Sequence, residues 1–343
     1  MVTSGIERLR RAVRWPRSRS ERKALILCYH AVTELRSDPR LCVTPSHFAE
    51  HLEVLRQHAH PIRLQQLSHA LLDRNLLDRS VVVTFDDGYA NNLHNAKPLL
   101  ERYSIPATVF LISGYIAYER EFWWDELDQL FLQPGSLPKK LSLNVNGSTY
   151  RWELDEAVDY SAEAFQHHRR WRPGEEVRSS YHSLHDSLWK LLRPMAGGER
   201  QSVLHELQGW AGTEPAVRPS HRPLSLEEVL ALGQGELVEV GAHTVTHPAL
   251  RKLLPASQRD EILESKVQLE KILNRPVTSF SYPWGNLSDH TVDIVEEAGF
   301  SCACSTRADV VRISTDRYQL PRVEVRDWNR EEFARQLSGW FSD

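Results

Sequence analysis

Short apolar runs recur along this chain, and segments of helical period fill the intervals between them. Ala24–Tyr29, Val81–Phe85 and Ala107–Ile112 are apolar at nearly every position, the pattern of strands buried on both faces. Leu237–Gly241, Val277–Tyr282, Phe300–Ser305 and Gln319–Val325 read as further strands. Thr44-Pro45 supplies an N-cap and a proline for a first helical position, with Phe48, Leu52 and Leu55 on one face behind it. Helices are expected over about 225–233, 256–273 and 288–298, the first opened by the capping box Ser225-x-x-Glu228. Strands alternating with helices argue for a parallel α/β sheet or barrel.

Residues of about 119–222 break this rhythm and read as an insertion, too long for a plain connection. Within it, Asn146-Gly147 separates two alternating runs, the signature of a tight β-hairpin. The stretch of about 155–210 has helical periodicity, broken at Pro173-Gly174 and Gly197-Gly198. The domain organisation expected is an N-terminal arm over 1–24 and one α/β domain over 25–343, interrupted by this insertion.

At 343 residues and 41% hydrophobic content, the chain has ample length to bury a core. Its formal net charge of −4 gives it no overall attraction to nucleic acid. Charge concentrates in the arm, where Arg8, Arg10, Arg11, Arg14, Arg17, Arg19, Arg22 and Lys23 face only Glu7 and Glu21. Such an arm is either a solvated tail or a contact for anionic lipid. No apolar run reaches the length of a membrane span, and no secretory h-region is visible. Cys28, Cys42, Cys302 and Cys304 are too few for a disulfide scaffold and match no zinc knuckle, so buried thiols and a cytoplasmic location are expected.

Two strand ends carry chemistry. Val81–Phe85 runs into Asp86-Asp87-Gly88, two adjacent carboxylates whose repulsion needs compensation. Leu237–Gly241 runs into His243 and His247, imidazoles that meet on one face if the turn between them is helical. In parallel α/β folds active sites assemble at the strand C-termini. Two histidines and one carboxylate make a three-ligand set with an open position, as catalytic metal sites have. One aspartate then binds the metal, and the other stays free as a general base for a water the metal activates.

Thr84-Phe85-Asp86-Asp87-Gly88 together with His243-Thr-Val-Thr-His247 resembles the polysaccharide deacetylases of carbohydrate esterase family 4, the group with the NodB-type homology domain. Phe280-Ser281-Tyr282-Pro283-Trp284-Gly285 is similar to that family's groove motif. The resemblance covers about 25–118 and 223–325. It implies a distorted, seven-stranded (β/α) barrel of TIM-like kind and hydrolysis of an N-acetyl group on a hexosamine of a glycan or glycan precursor, releasing acetate. It implies Asp86 as the base and Asp87, His243 and His247 as ligands of one divalent ion. Zinc suits such ligands, and cobalt, nickel, manganese or iron can fill them. The backbone N–H of Trp284 would share the oxyanion with the metal, and Tyr282, Pro283, Trp284 and Trp123 would line the substrate groove. Trp124 is expected in the core.

The chain departs from the family twice. The arginine that many members place in the groove motif is Ser281 here, and Arg322 in Leu320-Pro321-Arg322 is the expected replacement contact to Asp86. The C-terminal Leu-x-His that supplies a general acid is absent, and His30, at the end of the first strand, is the expected proton donor. The insertion is expected to fold over the barrel mouth, with Trp123 near the cleft rim. The partner expected is an N-acetylated carbohydrate, with contact to a membrane or a lipid-linked substrate through the arm. A catalytically weak glycan-binding homologue and an amidohydrolase for a small non-sugar amide are the alternatives.

Overall fold

The computed structural model describes residues 22–34, 42–132, 135–154, 159–160, 180–195, 197–213 and 216–342. The basic arm lies outside them up to residue 21. At its end, Arg22 Nη1 donates to the Leu76 carbonyl at 3.3 Å and Lys23 is buried. Pro173-Gly174 also lies outside the described residues.

The apolar runs form one parallel sheet. Its main strands are β1 (Ala24–Tyr29), β2 (Ser80–Phe85), β3 (Ala107–Leu111), β4 (Val238–Ala242), β5 (Ser279–Ser281), β6 (Cys302–Cys304) and β7 (Val323–Glu324). They lie in the order β6-β5-β4-β3-β2-β1-β7, with the short His60–Pro61 strand beside β2. β1, β2 and β3 are buried at every position, because helices cover one face of the curled sheet and the barrel interior fills the other. Helix Pro45–His58 buries Phe48, Leu52 and Leu55, and helices Leu226–Leu232, Pro255–Leu273 and Asp289–Glu297 follow as the periodicity predicts. Ser225 Oγ accepts from the Glu228 N–H while the Glu228 carboxylate accepts from the Ser225 N–H.

The run Gln319–Val325 is not one strand. Leu320 pairs with Cys304 of β6, whereas Val323 pairs with Leu27 of β1. Pro321 lies between the two pairings and has no N–H to give a ladder. The chain therefore changes partner there, joining the two edges of the sheet and closing the ring at the point where Arg322 sits. The result is a distorted (β/α) barrel.

The insertion builds its own core from Phe122, Trp123, Leu127, Phe131, Leu143, Leu188 and Leu204. It contains helices Trp123–Phe131, Ser180–Leu192 and Gly197–Ala211 and the hairpin Lys140–Val145/Ser148–Glu153. Asn146 and Gly147 both take positive φ, 51° and 77°, as a tight hairpin turn requires. Both stems are tied together. The buried Glu121 carboxylate accepts from the Arg218 backbone N–H at 2.6 Å and from Arg218 Nε at 2.9 Å.

Candidate metal centre and active site

β2 ends by turning its two carboxylates apart. The Asp86 N–H donates to the Tyr29 carbonyl at 3.0 Å, which keeps Asp86 in register with the end of β1. Asp87 then takes φ 72° and Gly88 φ 83°. The left-handed φ of Gly88 favours glycine there, and a Cβ would also press on the Leu111 side chain. Asp86 faces Arg322 and Asp87 faces the two histidines, so the like charges do not share one environment.

Asp86 and Arg322 form a buried, two-pronged ion pair. Arg322 Nη1 donates to Asp86 Oδ1 at 2.7 Å and Nη2 donates to Oδ2 at 2.6 Å. Arg322 also donates from Nε to the Ser305 carbonyl at 2.9 Å, and from Nη2 to Ser281 Oγ at 2.9 Å. Burial by itself would raise the Asp86 carboxyl, but the Arg322 guanidinium, and after it His243, hold it well below the usual carboxylate range. Asp86 is therefore ionised throughout the neutral range.

The loop after β4 brings His243 and His247 together without a helical turn. Thr244 takes φ 65° and His247 φ 58°, so the chain doubles back within five residues. Thr244 Oγ1 accepts from the His247 N–H at 3.0 Å. Glu261, on helix Pro255–Leu273, accepts from the Val245 and Thr246 N–H groups, both at 2.9 Å, and from Thr246 Oγ1 at 2.6 Å. The spacing of the histidines was a true signal, but the helical turn expected between them is replaced by this clamp.

His243 Nδ1 lies 2.7 Å from the Ser281 carbonyl. That oxygen can only accept, so Nδ1 carries the hydrogen and Nε2 presents its lone pair. Nε2 of His243 is 3.6 Å from Asp87 Oδ1, Nε2 of His247 is 3.5 Å from the same oxygen, and the two Nε2 atoms are 3.2 Å apart. Burial pushes the His243 imidazole down to about 4, against the pull of Asp86, and pushes His247 well below its usual value. Both rings are neutral at pH 7.

Protein groups alone do not satisfy this cluster. His247 Nδ1 is buried without a hydrogen-bond partner. If Nδ1 holds the ring hydrogen, that hydrogen has no acceptor, and the two Nε2 lone pairs face each other beside the carboxylate. If Nε2 holds it, a buried lone pair on Nδ1 is left unmet. A cation at the focus of the three donors removes the conflict at Nε2. The separations of 3.2–3.6 Å are close to those of donors bound about 2.1 Å from one ion. The donor set Asp87, His243 and His247 thus fits a divalent metal, and two nitrogens with one oxygen suit a transition metal.

These groups open into a cavity of about 600 Å³. The barrel supplies Cys28, His30, Asp86, Asp87, His243, His247, Trp284, Thr306, Arg322 and Glu324 to its wall, and the insertion supplies Trp124, Asp128, His185, Asp186, Trp189, Lys190 and Arg193. His30, Cys28 and Asp86 each offer a donor atom within 4.8 Å of the others, so His30 stands beside the expected base.

The aromatic wall differs from the sequence expectation. Trp124 lines the cavity, with its ring 5.0 Å from His247 and its Nε1 donating to Tyr89 Oη at 2.8 Å. Trp123, the expected rim residue, points instead into the insertion core, under the Arg200 guanidinium at 4.9 Å. The two indoles pack edge to face at 5.6 Å in one buried cluster, about a quarter-turn apart on their helix, and the one that reaches His247 and the cavity is Trp124. Tyr282 and Pro283 are buried and do not line the cavity, and Tyr282 Oη donates to the Tyr318 carbonyl at 2.9 Å. Trp284 is the residue of the groove motif that does line it. It sits at φ 59°, its ring 4.5 Å from His247, and a Cβ on the following Gly285 would collide with Thr306.

Sequence reasoning missed Trp189, His185, Arg193, Asp128 and Glu261. His185, Trp189 and Arg193 stand four apart, which is a visible helix-face signal. Nothing in the sequence says what that face meets.

The sequence model described as polysaccharide deacetylase matches residues 73–136 and 204–303. YxkH of Bacillus subtilis (strain 168), named as a candidate polysaccharide deacetylase, is 26% identical over 149 residues. That match covers 42% of this chain and about half the relative's length, 52%. Among solved structures, IcaB from Ammonifex degensii is 19% identical with a TM-score of 0.57, over 94% of this chain and 98% of that one. The Streptococcus pyogenes deacetylase PplD, in complex with acetate, is 17% identical with a TM-score of 0.55, over 94% and 99%. At such identities the solved structures bear on the fold, and the family model and the ordered motifs bear on kinship. With both in place, the chain resembles the polysaccharide deacetylase family over residues 73–136 and 204–303.

Proposed function

We propose that this protein is a metal-dependent N-deacetylase that removes acetyl groups from N-acetylhexosamine units of a glycan or glycan precursor. The observation that carries the reading is the pairing of two sites at one cavity floor. A neutral two-histidine, one-carboxylate donor set stands beside a second carboxylate that a buried arginine keeps ionised. A divalent ion held by Asp87, His243 and His247, zinc by choice of ligands, supplies Lewis-acid polarisation and lowers the pKa of water.

The residues of the chain divide the remaining work. Asp86 accepts the proton of the water that adds to the acetamide carbon. A carboxylate so strongly held in its charged form is a weak base, so it depends on that water being acidified. The Trp284 N–H is the proposed oxyanion donor, a role in which one donor contributes about 3–4 kcal/mol. His30 gives a proton to the amine as the C–N bond breaks, and acetate and the free amino sugar leave. Trp124, Trp189 and Trp284 offer apolar faces to a sugar ring. A cavity of about 600 Å³ with this aromatic wall favours a glycan over a small amide.

Acetate release from acetylated amino-sugar substrates, after loading with zinc, tests the reading. Wild type should release acetate and Asp86→Asn should not. Absence of acetate from any N-acetylhexosamine substrate, in protein carrying one equivalent of metal, rejects it.

Among the described residues no helix is long and apolar enough to cross a membrane.

A further inference from the structure

The insertion places two cations on the cavity wall that nothing in the chemistry above uses. Arg193 follows helix Ser180–Leu192, and its guanidinium lies over the Trp284 ring at 4.6 Å and the Trp189 ring at 5.0 Å. Among the described residues its side chain has no ion pair, and its Nε is buried with no hydrogen-bond partner. Lys190, on the same wall, also has no carboxylate partner among them.

The carboxylates that the insertion itself places on this wall are accounted for. Asp128 accepts from His185 Nε2 at 2.7 Å, and Asp186 lies 3.8 Å from His185 Nδ1. Burial would lower His185, but its bond to Asp128 and then Asp186 raise it to about 9, so the ring is charged at pH 7. Asp86 is matched by Arg322. On the insertion side, His185, Lys190 and Arg193 therefore outnumber Asp128 and Asp186 by one positive charge. Glu324 stands on the barrel side of the cavity.

A guanidinium stacked on indole faces keeps its N–H edge available in its own plane, which is how arginine presents itself to phosphate and carboxylate. Holding such a group half-desolvated beside two tryptophans without a counter-ion is costly, and a buried donor without an acceptor asks for one. Trp284 also touches His247, so Arg193 stands one aromatic ring away from the metal ligands. That is the reach of a single sugar residue.

We infer that Arg193 and Lys190 form an anion subsite, and that the substrate is an N-acetylated amino sugar bearing a phosphoryl or carboxyl group next to the ring that is deacetylated. This rests on the deacetylase reading and narrows its substrate class. The anion can belong to a sugar phosphate ester or to a neighbouring acidic sugar.

The test compares a neutral methyl glycoside of an N-acetylhexosamine with its 1-phosphate, its nucleoside diphosphate ester, its prenyl diphosphate ester and a disaccharide carrying a uronic acid. The readout is the ratio of kcat/KM for each anionic substrate to that for the neutral one, with metal content measured in every protein. Wild type should favour at least one anionic substrate, and the favoured one identifies the source of the charge. Arg193→Gln should lower that ratio roughly tenfold to a hundredfold, the loss usual for a charge-assisted hydrogen bond. Lys190→Gln, at an exposed position that leaves folding intact, should lower it less. The preference should also weaken with added salt. A ratio near one in wild type, or one that neither substitution moves, overturns the inference while leaving the deacetylase reading standing. If no substrate yields acetate, the deacetylase reading falls instead. Calorimetric binding of the same compounds then decides the subsite, and equal affinity for neutral and anionic ligands, or affinity unchanged in Arg193→Gln, overturns it.

Discussion

Replacing Arg322 with methionine keeps most of the side-chain volume and removes the charge. Arg322 makes five hydrogen bonds from a buried position, two of them to the Asp86 carboxylate. Breaking one side of a buried ion pair costs about 3–5 kcal/mol, because the remaining charge is left without compensation. The sign of the pH dependence follows from Asp86. Its folded-state pKa is depressed, so the stability it contributes is present above the unfolded value of about 3.9 and is lost as pH falls through the folded value. Without the guanidinium, burial becomes the leading influence and lifts the carboxyl. The wild-type advantage should therefore grow as pH rises above about 4, because Asp86 of Arg322→Met must ionise against burial while that of wild type does not, and reach about 3–5 kcal/mol near pH 7–8. Urea unfolding at a series of pH values measures it, and Asp86→Asn and the double variant complete a cycle that isolates the pair. At about 1.4 kcal/mol per pKa unit, the acid limb of acetate release should also move up by about two units or more. A neutral-pH difference below about 1 kcal/mol, no trend with pH, and a coupling energy near zero would together refute the pairing as the force that keeps Asp86 charged.

The two adjacent aspartates should fail differently: Asp86→Asn keeps one equivalent of metal and loses turnover, whereas Asp87→Ala, like His247→Ala, loses metal by elemental analysis. Full metal content in Asp87→Ala would remove it from the ligand set. Glu261→Ala frees three groups of the His247 loop and should weaken metal affinity about 10- to 100-fold, as loss of an outer partner does; unchanged affinity in a chelator competition would show that the loop holds its shape unaided. His30→Ala should retain metal and lose about 10²–10⁴-fold in rate, the range of an acid–base residue, and a loss below tenfold would return the proton-donor role to another group.

Much of the barrel could be read from the chain because its strands are buried on both faces and its helices are amphipathic. Apolar runs gave β1 to β4 to within a residue or two, and capping residues marked the starts of helices Pro45–His58 and Leu226–Leu232. The two motif pairs were legible because metal chemistry restricts residue type and spacing. The run at Gln319–Val325 was less so: one apolar period covers two short pairings with different neighbours, and only the closure of the ring separates them.

The sequence by itself determined that Asp86, Asp87, His243 and His247 leave strand ends, since local periodicity sets where a strand stops. Tertiary structure alone decided which tryptophan meets the site. Trp123 and Trp124 are neighbours of the same chemistry, and only the packing of helix Trp123–Phe131 on the barrel mouth turns Trp124 to His247 and Trp123 inward. It also decided that Trp189 and Arg193, far along the chain from every motif, stand at Trp284. Long-range packing depends on complementary surfaces brought together by the whole fold, and no local pattern of residues encodes which surface a helix face will meet.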